Sequence, residues 1–169
     1  MTLLERAIAL ATHHHAGQKR TWGDPPADYL THPLAVAVLV SSWRGAETGV
    51  MAAAVCHDLL EDTACDMMEL YNAIGSYSGR LVLNLTNVKL PNLSRAEQKT
   101  IDRLRLSSYC RATLTIKACD RLHNLMTIGD APEGFRQLYL EESRLLVEDV
   151  LAGSIPMGLL ERLREVLRG

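Results

Sequence analysis

The sequence predicts an all-α fold, and three observations carry that reading. Apolar residues recur at helical three- and four-residue spacings. No segment alternates as a half-buried strand does, and there are no repeats or low-complexity tracts. Two capping boxes, Thr2 with Glu5 and Ser94 with Glu97, mark helix starts. The chain has 169 residues, 47% of them hydrophobic, which suits one domain with a sizeable core. A single domain over 1–169 is expected, with a core over about 1–152 and a closing helix over about 155–168.

The first helix is expected over residues 2–16, with Leu3, Leu4, Ala7, Ile8, Leu10 and Ala11 as its apolar stripe. His13, His14 and His15 continue it and read as surface residues rather than as a metal site. Gly17 to Arg20 ends the helix, and Gly23, Pro25 and Pro26 make Thr21–Tyr29 a loop. Pro33 suits the first turn of a second helix running to Trp43. Gly45 and Gly49 bracket a short turn. A short helix near 66–74 ends at Gly75, and Leu81–Val88 is a further apolar helical stretch. Pro91-Asn92-Leu93 breaks the pattern before a charged helix from Ser94 to about Tyr109. Another helix covers Leu114–Leu125, and Gly129, Pro132 and Gly134 form a loop. Two closing helices follow over 135–152 and 155–168.

Charge and composition narrow the function. A net charge of −2 gives no basic field for nucleic acid. No apolar run is long enough to span a bilayer, and Glu5 and Arg6 interrupt any export signal, so a cytoplasmic protein is expected. Cys56, Cys65, Cys110 and Cys119 form no Cys-x-x-Cys pair and read as free thiols, with burial expected.

The stretch from Val50 to Thr63 carries the chemistry. An uncharged, alanine-rich run ends in His57, Asp58, Glu61 and Asp62. On one continuous helix these four fall within an arc of roughly 140°. Their repulsion and desolvation are costly unless a cation sits among them. On the 114–125 helix, Lys117, Asp120 and Asn124 fall within about 60°. The candidate metal ligands are His32, His57, Asp58 and Asp120. Two imidazoles and two carboxylates suit Mn²⁺, Fe²⁺ or Zn²⁺, and the absence of cysteine argues against a structural zinc site. A bound ion would polarise a phosphoryl oxygen and activate water, with Glu61 and Asp62 placed to accept its proton. Arg20, Lys19 and Lys117 are available cations for phosphate; Lys117 also reads as a neutraliser of a neighbouring carboxylate, and Arg121 as a structural ion-pair partner.

These segments resemble the hydrolase domain of the RelA/SpoT family, a branch of the HD-domain superfamily. The resemblance rests on His-Ala-Gly-Gln-Lys-Arg at 15–20, Tyr-Leu-Thr-His-Pro-Leu at 29–34 and His-Asp-Leu-Leu-Glu-Asp-Thr at 57–63. It continues through Ile-Lys-Ala-Cys-Asp-Arg-Leu-His-Asn-Leu at 116–125 and Tyr-Leu-Glu-Glu-Ser-Arg at 139–144. It is closest to the short members, the small alarmone hydrolases, and covers His15 to about Leu151. It implies Mn²⁺ on His32, His57, Asp58 and Asp120, Glu61 and Asp62 handling the attacking water, Arg20 near the base and Asn124 on the nucleotide. The implied reaction cuts the 3′-pyrophosphate of guanosine tetra- or pentaphosphate, a small-molecule substrate. The length is too short for the synthetase and regulatory domains of long members. Thr21 and Met126 stand where the family often has a cation, and the loop from Arg20 to His32 is long. Those departures leave open an adenosine alarmone, a dNTP or a phosphorylated dinucleotide as substrate, with a catalytically silent nucleotide sensor as a reading from another class.

Overall fold

The computed structural model describes residues 1–23, 25–45 and 47–169. Asp24 of the 21–29 loop and Ala46 of the 45–49 turn lie outside the described residues. Among the described residues the fold is helical throughout, with one isolated antiparallel bridge between Lys19 and Asp28. The chain divides into two compact units, Met1–Thr86 and Asn87–Gly169.

In the first unit, α1 spans Leu3–His14, capped by Thr2 with the expected reciprocal box to Glu5. α2 spans Thr31–Arg44, α3 Thr48–Val55, α4 Leu59–Asp62 and α5 Met67–Leu85. α3 is the hub and packs on α1, α2 and α5. Its residues Val50, Ala52, Ala53, Ala54 and Val55 are all buried, because alanine lets three neighbours approach closely. Gly49 contributes to the same closeness: a Cβ there would sit 3.0 Å from the Tyr77 ring of α5. The two helices expected around Gly75 meet in α5 across a kink at that glycine, whose non-helical angles, φ 76° and ψ 169°, are open to a residue without a side chain. Asp66 caps α5 by accepting from the Glu69 amide at 2.8 Å. α5 stops at Leu85, short of the expected Val88.

In the second unit, α6 spans Arg95–Leu106 and starts at the expected Ser94–Glu97 box. A turn occupies Ser107–Tyr109, where helix was expected. α7 runs Arg111–Thr127, longer at both ends than expected, and its apolar face, including Leu114, Ile116 and Leu122, is buried. α8 spans Glu133–Leu146 and widens into a π turn over Val147–Leu151. Gly134, expected in a loop, lies in the first turn of α8, since Pro132 ends the connection and Glu133 already has helical geometry. α9, Met157–Arg168, buries Leu159, Leu160, Leu163 and Leu167. A bidentate pair from Arg95 to Glu142, at 2.6 and 3.0 Å, ties α6 to α8.

Candidate metal centre

His57 and Asp58 do not lie on a continuous helix. α3 ends at Val55, Cys56 to Asp58 form a turn, and α4 begins at Leu59. The expectation of one helix face bearing four ionisable groups is therefore corrected. Consecutive residues on a helix point about 100° apart, so an unbroken helix would separate His57 from Asp58. The turn brings them together, with His57 Nε2 at 3.7 Å from Asp58 Oδ2. Cys56 and Asp58 hold near-bridge backbone angles, φ −106° and −113°. The His57 ring itself helps to satisfy the broken ladder: Nδ1–H donates to the Ala54 carbonyl at 2.9 Å.

His32, in the first turn of α2, completes a group with His57 and Asp58. Their donor atoms all lie within 4.8 Å of one another, and all three residues are buried. The His32 and His57 rings meet edge-on with centroids 5.2 Å apart. Nδ1 of His57 donates to a carbonyl, which fixes the ring and makes Nε2 the atom that could ligate a cation, the usual way a protein orients a ligand imidazole. The donor set and its orientation fit a divalent ion.

Two residues not singled out from the sequence hold Asp58. His15 is buried, against the expectation that it lies on the surface, and its Nε2 reaches Asp58 Oδ1 at 3.2 Å. Its other nitrogen faces Gln18 Oε1 at 2.7 Å. Gln18 spends its amide N–H on the Asp62 carbonyl at 3.2 Å, so its oxygen must face His15. His15 thus sits between two acceptors and donates from both nitrogens. Burial opposes that charge, but the bonds to Asp58 and Gln18 outweigh it and raise the His15 pKa. Tyr29 donates to Asp58 Oδ2 at 2.7 Å. Burial pushes the Asp58 carboxyl up; His57, His15 and the Tyr29 hydroxyl outweigh it and hold the carboxyl well below the carboxylate range. The signal for both residues was present, since His15, Gln18 and Tyr29 stand inside the motifs at 15–20 and 29–34.

Glu61 and Asp62 follow in α4, one half-buried and the other exposed. Asp62 Oδ2 lies 3.5 Å from the Tyr29 hydroxyl. Lys19 pairs with Asp28 across the loop neck, where both side chains stay exposed. The Arg20 guanidinium lies 5.7 Å from the Tyr29 ring centroid. In the second unit, Lys117 donates to Asp120 Oδ2 at 2.9 Å and Asn124 to Asp120 Oδ1 at 2.7 Å, the shared face read from the sequence. Burial opposes the Lys117 charge, yet Asp120 raises its pKa overall. Arg121 is not an ion-pair partner as read: its guanidinium stacks 4.3 Å from the Tyr139 centroid and donates to Ser143. Cys56, Cys65 and Cys119 are buried free thiols and Cys110 is an exposed one.

The turn between two helices, with its buried His/Asp group, is the kind of site around which HD domains are built. An HD-domain family model matches residues 7–147, and the chain belongs to that family. Among curated relatives, the GTP pyrophosphokinase rsh of Brucella ovis is 33% identical over 160 residues, covering 92% of this chain and 20% of that protein. A probable GTP pyrophosphokinase of Mycobacterium leprae is 36% identical over 135 residues, covering 78% of this chain and 16% of that protein. The chain thus spans about one-fifth of the length of these relatives. Among solved structures, a metazoan ortholog of SpoT, described as hydrolysing ppGpp, aligns with a TM-score of 0.88 at 24% identity. That alignment covers 99% of this chain and 95% of the other. A Listeria monocytogenes protein aligns with a TM-score of 0.67 at 23% identity, covering 80% of this chain and 90% of the other. These likenesses bear out the helical fold and the RelA/SpoT-type resemblance. No helix among the described residues is long and apolar enough to cross a membrane.

Proposed function

We propose that this chain, as one HD-type domain, hydrolyses the 3′-pyrophosphate of guanosine tetra- or pentaphosphate and releases pyrophosphate. The observation that carries the reading is the buried group of His32 with His57 and Asp58, the last two set in a helix break, with Glu61 and Asp62 in the next turn. The reading is supported by the shared fold of a metazoan SpoT ortholog described as hydrolysing ppGpp and by sequence similarity to GTP pyrophosphokinases. Asp120 is proposed as the fourth ligand on its place in the 116–125 motif. Mn²⁺ is the proposed metal, with Fe²⁺ or Zn²⁺ as substitutes, since mixed imidazole and carboxylate donors suit these ions. The bound ion supplies Lewis acidity and lowers the pKa of water. Glu61 and Asp62 orient that water and take its proton. Arg20 stacks on the base, Lys19 and Lys117 draw the phosphates, and Asn124 contacts the nucleotide. Nucleic acid is not a partner in this reading, and the place of action is the cytoplasm.

The test is a Mn²⁺ assay on guanosine tetraphosphate, its adenosine analogue and a dNTP, reading pyrophosphate against orthophosphate. Pyrophosphate from guanosine tetraphosphate supports the proposal; cleavage of only a dNTP sinks the substrate assignment while leaving the metal site. In the same assay Glu61→Gln should retain metal while kcat drops by about 10²-fold. An unchanged kcat would remove Glu61 from the chemistry.

A further inference from the structure

A second cluster of metal-ligating side chains lies beside the first site and plays no part in it. α1 ends with two histidines that serve different neighbours. His15 turns to Asp58, while His14 turns to the start of α5 and lies 3.0 Å from Glu69 Oε2. Cys65, in the connection just before α5, is buried. One donor atom from each of His14, Cys65 and Glu69 lies within 4.8 Å of the others.

We propose that His14, Cys65 and Glu69 form a second cation site that takes a borderline-soft divalent ion of the Zn²⁺ or Co²⁺ class. It stands apart from the hydrolytic site and does not depend on the activity proposed above.

Five features argue for it. The donors are of three kinds, an imidazole, a thiol and a carboxylate, and thiolate with imidazole selects softer ions than the His/His/Asp group does. Tetrahedral ligands at about 2.0–2.3 Å from an ion stand roughly 3.3–3.8 Å apart, so small side-chain movements close the set. His14 Nε2 is buried and makes no hydrogen bond, although Glu69 is near; the contact lacks hydrogen-bond alignment, as expected of two ligands that flank an ion. The thiol is held in place by its own turn: the Cys65 amide donates to Thr63 Oγ1 at 3.0 Å, and Thr63 donates to the Leu59 carbonyl at 2.6 Å. Glu69 is partly exposed, which gives an ion a way in and leaves a fourth position for water.

Binding replaces one S–H bond by a metal–thiolate bond and releases the proton to water.

The experiment is Co²⁺ titration of the metal-free full chain in a Cys110→Ser background, which removes the exposed thiol. The expected result is a second equivalent of Co²⁺ that brings a near-ultraviolet thiolate-to-cobalt absorption band. The first site has no sulfur donor and cannot produce one. Cys65→Ser should abolish the band and reduce binding by one equivalent. His14→Gln should weaken that binding independently, and helical circular dichroism of each variant should match the parent. A single equivalent without the band, or a band that survives Cys65→Ser, overturns the site. Were Cys65→Ser not to fold, retention of the full band at unchanged affinity in His14→Gln would overturn it equally.

Discussion

Two buried carboxylates, one in each unit, are handled in opposite ways. Asp120 stands on the unbroken helix α7, and its oxygens take a lysine one turn before it and an asparagine one turn after. Asp58 stands in a helix break and is held by an imidazole and a phenol from outside its own segment, His15 and Tyr29. Beside Asp58 are two more imidazoles, His32 and His57, whose lone pairs suit a metal ion. Around Asp120 the lysine is a permanent counter-charge within the same helix. The difference teaches that helical spacing builds local neutralisation, whereas a broken helix gathers donors from distant segments. The second arrangement brings together His32, His57 and Asp58, donors that sequence spacing alone would keep apart.

The comparison breaks most severely at Lys117. Lys117→Met removes the cation that donates to the buried Asp120 carboxylate, and should cost about 3 kcal/mol or more in stability. Urea unfolding with a chelator present measures it, and adding Asp120→Leu should restore most of the loss. Stability unchanged by Lys117→Met would mean that the pair is solvated in practice and that the two carboxylates do not differ as described. A milder change sharpens the other side. Tyr29→Phe removes one donor to Asp58 without removing a ligand, and should weaken metal binding about tenfold. Calorimetric titration with Mn²⁺ would show it, and wild-type affinity would demote Tyr29 to packing.

The smallest effect concerns purely local neutralisation at the protein surface. The Ser94 hydroxyl, and then its amide, hold the Glu97 carboxyl below its ordinary value. A carboxyl lowered in the folded state adds stability above its ordinary value, and that contribution is lost as pH falls through the folded one. The first turn of α6 should therefore loosen in acid. A carboxyl NMR titration of Glu97 reads the shift, and Ser94→Ala should return it toward the ordinary range.

Much of this was legible in the residues. Both capping boxes, the Gly75 break and the Lys117–Asp120–Asn124 face follow from spacing within one helix, where 3.6 residues per turn fixes neighbours. The break at Cys56–Asp58 was not legible, because the alanines and Val55 before it and the leucines after it include no proline or glycine to stop a helix there. It is sustained by the His57 side chain on a backbone carbonyl, a tertiary device that periodicity does not record. The burial of His15 was missed for a similar reason. Three histidines in a row look alike on a line, while the helix end gives each a different neighbour.

The neck of the 21–29 loop has a further consequence. Lys19 and Asp28 form a bridge, the Arg20 amide donates to Ala27 and the Tyr29 amide to Gln18, at 2.8 and 3.0 Å. The entropy of closing the loop is thus borne at its base, and lengthening the tip by a few residues adds only a logarithmic cost. Insertions at the tip should therefore leave the hold of Tyr29 on Asp58 in place. An evolving lineage could rewrite that rim freely without disturbing the interior on which it depends, and a protein engineer grafting new loops would find the same latitude there.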